Sequence, residues 1–421
     1  MKKVELLAPA GNLKKLKIAF AYGADAVYGG VSHFSLRIRS GKEFDEESFA
    51  EGIAYAHSLG KKVYCTINGF PFNSQIKLYA KHIEKMAALE PDAFIVSTPG
   101  VIKLCRQIAP HIPLHLSTQA NVMNYLDALA YYEMGVSRII AAREISLKDL
   151  VQIKRHVPDL ELEIFVHGSM CFAFSGRCLI SSVQSGRVPN RGSCANDCRF
   201  EYTLYAENPE TGTLFKLEEV EGEGTYIMNA KDLNLASHIK EILDTGVIDS
   251  LKIEGRTKSD YYVAITTKAY REAIDDYYEG RFQPERYQRE LHTTKHRGFS
   301  DGYLVHRPYE KSDTQKLDSS ISEGTHQVKA EVSEDGQHFF TKDKICKGDI
   351  LEIVAPKGSE IHPCKSEVGE IFQQNGRWWV RLDKIEAGKE YECIHSGNVN
   401  PVKLPCSLPA FTFLRREIES S

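Results

Sequence analysis

No run of about 20 apolar residues occurs in the 421-residue chain, so no segment is built to cross a bilayer as a helix. The opening MKKVELLAPAGNLKK has two lysines, but Glu5, Pro9 and Gly11 break its apolar run. That is too short for a secretory signal, and the expectation is a cytoplasmic protein with no membrane contact. Excess positive charge is missing as well: 53 Lys+Arg against 57 Asp+Glu give a net charge of −4. A generally basic, nucleic-acid-coating protein is excluded by that balance, whereas a local basic patch is not. With 16 Pro, 30 Gly, 42% hydrophobic and 26% charged residues, the chain is neither disordered nor collagen-like. Three catalytic signatures are also absent: a GxGxxG after the first strand, an HExxH helix and a GxSxG elbow.

What is present is a repeated strand–helix pattern. Short β-rich runs at 4–8, 26–29, 62–67, 93–96, 114–117, 138–141, 163–166, 226–229 and 250–254 alternate with amphipathic segments at 48–59, 76–89, 127–134 and 146–156. Parallel strands need crossover helices, and eight or nine of them in about 255 residues fit a closed barrel. The spacing of Ser146 and Asp149 predicts a capped helix start. After a tyrosine-rich helix at 259–280 the pattern changes to short alternating strands separated by EDG, PKG, NGR and EAGK turns. The expected fold is α/β: a TIM-like (β/α)8 barrel over 1–280 with a four-cysteine loop at 167–199. A connecting segment (281–325), an antiparallel β-barrel domain (326–408) and a tail (409–421) complete it.

Four of the ten cysteines, Cys171, Cys178, Cys194 and Cys198, fall within 28 residues in a C-x6-C-x15-C-x3-C spacing. Cysteine is often simply buried, and without an export signal a disulfide framework is not expected. Four thiols on one glycine-rich loop, leaving a strand at the face where barrels assemble active sites, read better as metal ligands. The irregular first pair favours an iron–sulfur cluster, [4Fe-4S], with zinc as the alternative. Cys65 and Cys105 read as small core residues.

The stretch Glu163-x-Phe165-x-x-Gly168-Ser169-Met170-Cys171, followed by Gly176-x-Cys178-x-Ile180-Ser181, resembles the signature of the collagenase-like peptidase family of unknown catalytic type. ELLAPAG (5–11), GADAVYGG (23–30), FSLR (34–37), RGSCANDCRFEY (191–202), SLKIEGR (250–256) and KGDILEIVAPKG are similar to that family too, so the resemblance spans nearly the whole chain. It implies one of two activities: iron–sulfur-dependent 5-hydroxylation of a tRNA uridine, or metal-dependent peptide (collagen) hydrolysis. By position, the four clustered cysteines match the cluster ligands of the tRNA-modifying members.

Further polar groups stand where barrel strands end. His167, Glu254 and Arg143 are the candidate catalytic residues, and Arg37, Gln119, Arg187, Arg191 and Lys231 the candidate substrate-binding ones. At any one such position a structural salt bridge is the commoner role. Arg177, Arg187, Arg191 and Arg199 make the cysteine loop cationic, which suits phosphate or carboxylate and equally offsets thiolate charge. His115 is expected to pack inside the barrel. Of Trp378 and Trp379, the only tryptophans, alternation leaves at most one exposed for base stacking.

Overall fold

The computed structural model describes residues 3–31, 43–191, 193–200, 202, 205–216, 229–305, 308, 311–316 and 321–418. Seven parallel strands follow one another around a barrel: β1 (Glu5–Pro9), β2 (Ala26–Gly29), β3 (Lys62–Ile67), β4 (Ala93–Val96), β5 (Leu114–Leu116), β6 (Arg138–Ile140) and β7 (Glu161–Ser169). The eighth, Ser250–Ile253, pairs with both β7 and β1 and closes the ring. The crossover helices begin where the sequence supplies a cap. Asp45 and Ser48 form a capping box, Asn124 accepts from the Asp127 amide, and Ser146 accepts from the Asp149 amide, as its spacing predicts. The apolar faces of these helices bury residues such as Phe49, Ile53, Leu150 and Ile153 against the strands. Cys65 and Cys105 lie in that core, and burial pushes both thiols up.

Several expectations need correction. Residues 226–228 lie outside the described residues, and the strand found nearby, Asp232–Asn234, runs antiparallel to the end of β7 instead of joining the eight. The segment 281–325 is more than a connector, because helix Pro284–His292 packs on the long helix Asp260–Tyr278 and Phe299–Ser300 pairs with Asp232–Asn234. Residues 409–421 are not a tail either: Phe413–Glu417 is an inner strand, hydrogen-bonded between His326–Val332 and Ile350–Val354. With it, the second domain is an eight-stranded antiparallel half-barrel around its own core of Phe339, Leu351, Ile371, Val380 and Leu414. Disulfides Cys346–Cys393 and Cys364–Cys406 staple this domain, contrary to the expectation of unpaired thiols. Cys346 and Cys393 stand opposite one another on paired strands, which brings their sulfurs together. Trp378 packs against the half-barrel core, and Arg377 and Arg381 are held by Glu352 and Asp383.

The two domains are locked together. Arg415 is fully buried and donates to Glu352 (2.8 and 2.9 Å) on its own side and to Tyr261, Thr293 and Glu290 (2.9–3.2 Å) of the barrel side. The Tyr22 hydroxyl, on the first barrel helix, lies 2.9 Å from the carbonyls of both Val354 and Phe411. Among the described residues no helix is long and apolar enough to cross a membrane.

Candidate functional site

At the C-terminal ends of the barrel strands Tyr28, Thr66, Ile95, Ile140, Phe165 and Lys252 enclose a cavity of about 150 Å³. That is room for several waters or for one small ring. Among the described residues none after Arg256 lines it, and none of the half-barrel strands reaches the cavity.

Its floor is a buried ion network. The Lys252 ammonium lies 2.7 Å from Glu163, whose other oxygen is 3.2 Å from Arg138. Arg138 also binds Glu5 at 2.6 Å and Glu161 at 2.7 Å. Charges survive at such depth only when paired, and here each has an opposite partner. Burial lowers the pKa of Lys252 against the pull of Glu163, and its ammonium sits 4.3 Å from the centre of the Tyr28 ring. His115 is packed beside this network, its ring edge-on to Tyr64 at 4.6 Å, as expected of a core histidine.

Three of the sequence-derived site residues meet at the rim. Arg143 reaches to 3.5 Å from the Cys171 sulfur and 3.7 Å from Glu254, with its guanidinium 4.3 Å from the centre of the Phe165 ring. Gln119 accepts the hydroxyls of Ser97 and Ser117 through Oε1, both at 3.1 Å. Nε2 is buried without a partner among the described residues, and Arg143 Nε is in the same position. Unsatisfied buried donors are costly, and both of these belong to residues that line the cavity.

The cysteine loop forms the remaining wall. It leaves β7 and docks back on the rim through Ser175, whose amide donates to Glu144 at 2.9 Å and whose hydroxyl accepts the Arg143 amide at 3.3 Å. Next to it, Gly176 (φ +73°) lies so close that a Cβ would fall 2.1 Å from the Gln119 carbonyl oxygen. Cys171, Cys178 and Cys194 line the cavity. Burial pushes the thiols of Cys178 and Cys198 up, and the other cysteines of the set add to the effect, so all four lie within electrostatic reach of each other. Among the described residues no three His, Cys, Asp or Glu side chains draw together around a single-ion site.

Other expected residues fall elsewhere. His167 is buried on the outer side of β7, against Tyr262 and Tyr270 of the long helix and Phe299, and burial holds its pKa down at about 3. The cause is a bulge: Phe165 pairs with Lys252, but the next pair is His167 with Ile253, so the alternation that would turn His167 inward is broken. Lys231 lies beside Gly298, away from the cavity, and Arg187 is exposed on the cysteine loop. Arg37 and the side chain of Arg191 lie outside the described residues. Lys252, Tyr28 and Thr66 escaped the sequence reading. A lysine inside the apolar strand Ser250–Ile253 was the available signal, because such a charge needs a buried partner.

Residues 11–314 match the model of Peptidase family U32. The chain is 62% identical over 420 residues to tRNA hydroxylation protein P of Helicobacter pylori, covering 99% of this chain and 100% of that one. It is 39% identical to tRNA hydroxylation protein P of Escherichia coli, over 85% of this chain and 88% of that one. A collagenase of Porphyromonas gingivalis is 31% identical over 72% of this chain and 73% of its own. On the strength of a family match that spans most of the barrel and of similarity that runs almost end to end, the chain is a member of peptidase family U32.

Proposed function

We propose that this protein is an RNA-modifying enzyme that takes part in 5-hydroxylation of a uridine in tRNA, in the cytoplasm. The observation that carries the reading is the cavity itself, a space for one ring with two unsatisfied donors, Gln119 Nε2 and Arg143 Nε, next to three thiols. A pyrimidine flipped out of its stack presents carbonyl oxygens that would satisfy such donors. Tyr28 and Phe165 give the cavity aromatic walls, and Lys252, Arg143 and Arg256 keep it electropositive. The extensive identity to proteins named for tRNA hydroxylation supports the same reading.

The donor set fits an iron–sulfur cluster. Cys171, Cys178, Cys194 and Cys198 are four soft donors on one loop, none of them in a disulfide, and three of them line the cavity. Four thiolates are the usual ligand set of an iron–sulfur cluster, and also of a structural zinc. When bound, the cluster would supply one-electron redox chemistry. The chain's own part is to seat the base, exclude water and hold charge near it: Gln119 orients the ring, Arg143 links the ring to the thiol wall, and Glu254 positions Arg143. Peptide hydrolysis has less support, since among the described residues no histidine lines the cavity to activate Cys171, and the nearest in sequence, His167, faces outward.

The test is mass spectrometry of tRNA nucleosides from a strain lacking the protein, with complementation by wild type and by Cys171→Ser. Loss of 5-hydroxyuridine-derived nucleosides, restored by wild type alone, is expected. Iron, sulfide and zinc analysis of anaerobically purified protein decides the cofactor. Unchanged nucleosides together with casein or gelatin hydrolysis by the pure protein would overturn the reading in favour of a peptidase.

A further inference from the structure

A second and larger concavity, about 1100 Å³, runs along the junction between the barrel rim and the half-barrel. Lys15, Lys258 and Lys295 line it from the barrel side and Lys342 from the half-barrel, against two acids, Asp260 and Glu331. Both acids are already engaged by Lys14, which lies 3.0 Å from Asp260 and also contacts Glu331, and Lys342 lies 3.0 Å from Glu331. In a chain of net charge −4 this crevice is locally cationic. Hydroxyls of Thr257 and Ser259 add neutral donors to its walls.

The crevice begins where the cavity ends. Arg256 lines the cavity and donates to Thr66 at 3.1 Å, while its carbonyl accepts the Lys15 ammonium at 3.3 Å and the next residue, Thr257, lines the crevice. The small cavity admits a base but not the chain that carries it, so the flanking nucleotides must leave over an adjoining surface. Lysines interleaved with hydroxyls are the usual partners of phosphate oxygens. The walls are also preset, because the Arg415 network fixes the half-barrel on the barrel. We propose that this interdomain crevice is the track for the sugar–phosphate backbone of the RNA whose base enters the cavity, with the half-barrel supplying one wall. The proposal rests on the RNA reading above and gives the second domain, absent from the cavity, its role.

The test uses full-length, anaerobically purified protein and a fluorescently labelled tRNA, with Kd measured against salt from 50 to about 300 mM. Lys258→Ala, Lys295→Ala and Lys342→Ala are each expected to reduce the slope of log K against log salt by about 0.7 to 0.9, as for one lost phosphate contact. The triple variant should bind at least tenfold more weakly at the low-salt end. Lys→Arg at the same positions should restore most of the binding and separate lost charge from lost folding. If wild type binds with a steep salt slope and the triple variant matches it, the crevice assignment is wrong while the RNA reading stands. If Lys342→Ala alone matches wild type, the half-barrel wall is refuted. If wild type binds no tRNA and the deletion strain keeps its nucleosides, both readings fall together.

Discussion

Substituting Gly176 by alanine isolates the contact that holds the thiol wall against the barrel. The new methyl would stand 2.1 Å from the Gln119 carbonyl oxygen, where a carbon–oxygen approach of about 3.3–3.6 Å is the close limit, so the loop must retreat by more than about 1 Å. Retreat breaks the Ser175 amide bond to the Glu144 carboxylate and the bond between the Ser175 hydroxyl and the Arg143 amide. At about 1.5–3 kcal/mol for the first and 0.5–1.5 for the second, docking weakens by about 2–4 kcal/mol. That equals about 30- to 1000-fold in the docked population. Gly186 is the control. It has nearly the same φ, +66°, with nothing within 4 Å of a Cβ, so its alanine variant carries only the left-handed backbone cost of about 1–2 kcal/mol. Iron and sulfide per chain, tRNA nucleosides from complemented deletion strains and the thermal midpoint should be measured on both. Gly176→Ala should lose cluster loading and hydroxylation by at least tenfold, while Gly186→Ala keeps most of both and neither moves the main unfolding transition by more than a few degrees. Equal iron content and equal modification in the two variants would refute the docking argument.

Three further outcomes follow from the geometry. Arg415→Met strips Glu352 and Glu290 of their buried partner and should cost about 3–5 kcal/mol, read as a lower urea midpoint; a loss under 1 kcal/mol would contradict it. His167 has its pKa lowered to about 3 by burial, so the unfolded chain binds more protons below about pH 6.5 and stability drops as pH falls from there toward 3. His167→Gln should flatten that acid limb by up to about 1.4 kcal/mol per pH unit, with tRNA hydroxylation at neutral pH retained; abolished hydroxylation in a folded variant would restore His167 to the site. Gln119→Leu keeps the volume but removes the side-chain amide, and should lower modification by at least tenfold while the acceptor lost to Ser97 and Ser117 lowers the thermal midpoint by a few degrees; unaltered nucleosides would exclude Gln119 from base recognition.

The barrel was legible in the sequence because its signals are local. The Ser146 cap, helical periodicity and one strand every 25–30 residues pointed to eight or nine strands, and eight of the nine runs form the ring in chain order. Gln119, Arg143 and Glu254 were found because strand ends are visible in a sequence and strand ends face the mouth. What stayed hidden depends on distant pairing. The inner strand Phe413–Glu417 meets residues more than 80 positions earlier, as in Glu331 opposite Phe413, so its short alternating run read as a tail. The inward or outward sense of His167 hangs on one skipped pairing at Val166, which composition does not reveal. Lys252 and Glu163 stand on strands 89 residues apart in sequence, and only the barrel's closure brings them to their 2.7 Å contact.

The late position of that inner strand has a kinetic consequence. Barrel strands pair mainly with sequence neighbours, whereas the half-barrel cannot complete its middle until a segment about 80 residues downstream inserts. Long loop closures slow folding, so refolding should be biphasic, with the barrel forming first and serving as the template on which Arg415 seats. Both tryptophans, Trp378 and Trp379, lie on the half-barrel strand Arg377–Leu382. Intrinsic tryptophan fluorescence is therefore a private reporter of the slower unit, blind to the barrel, and its lag behind far-ultraviolet circular dichroism measures the time between the two events.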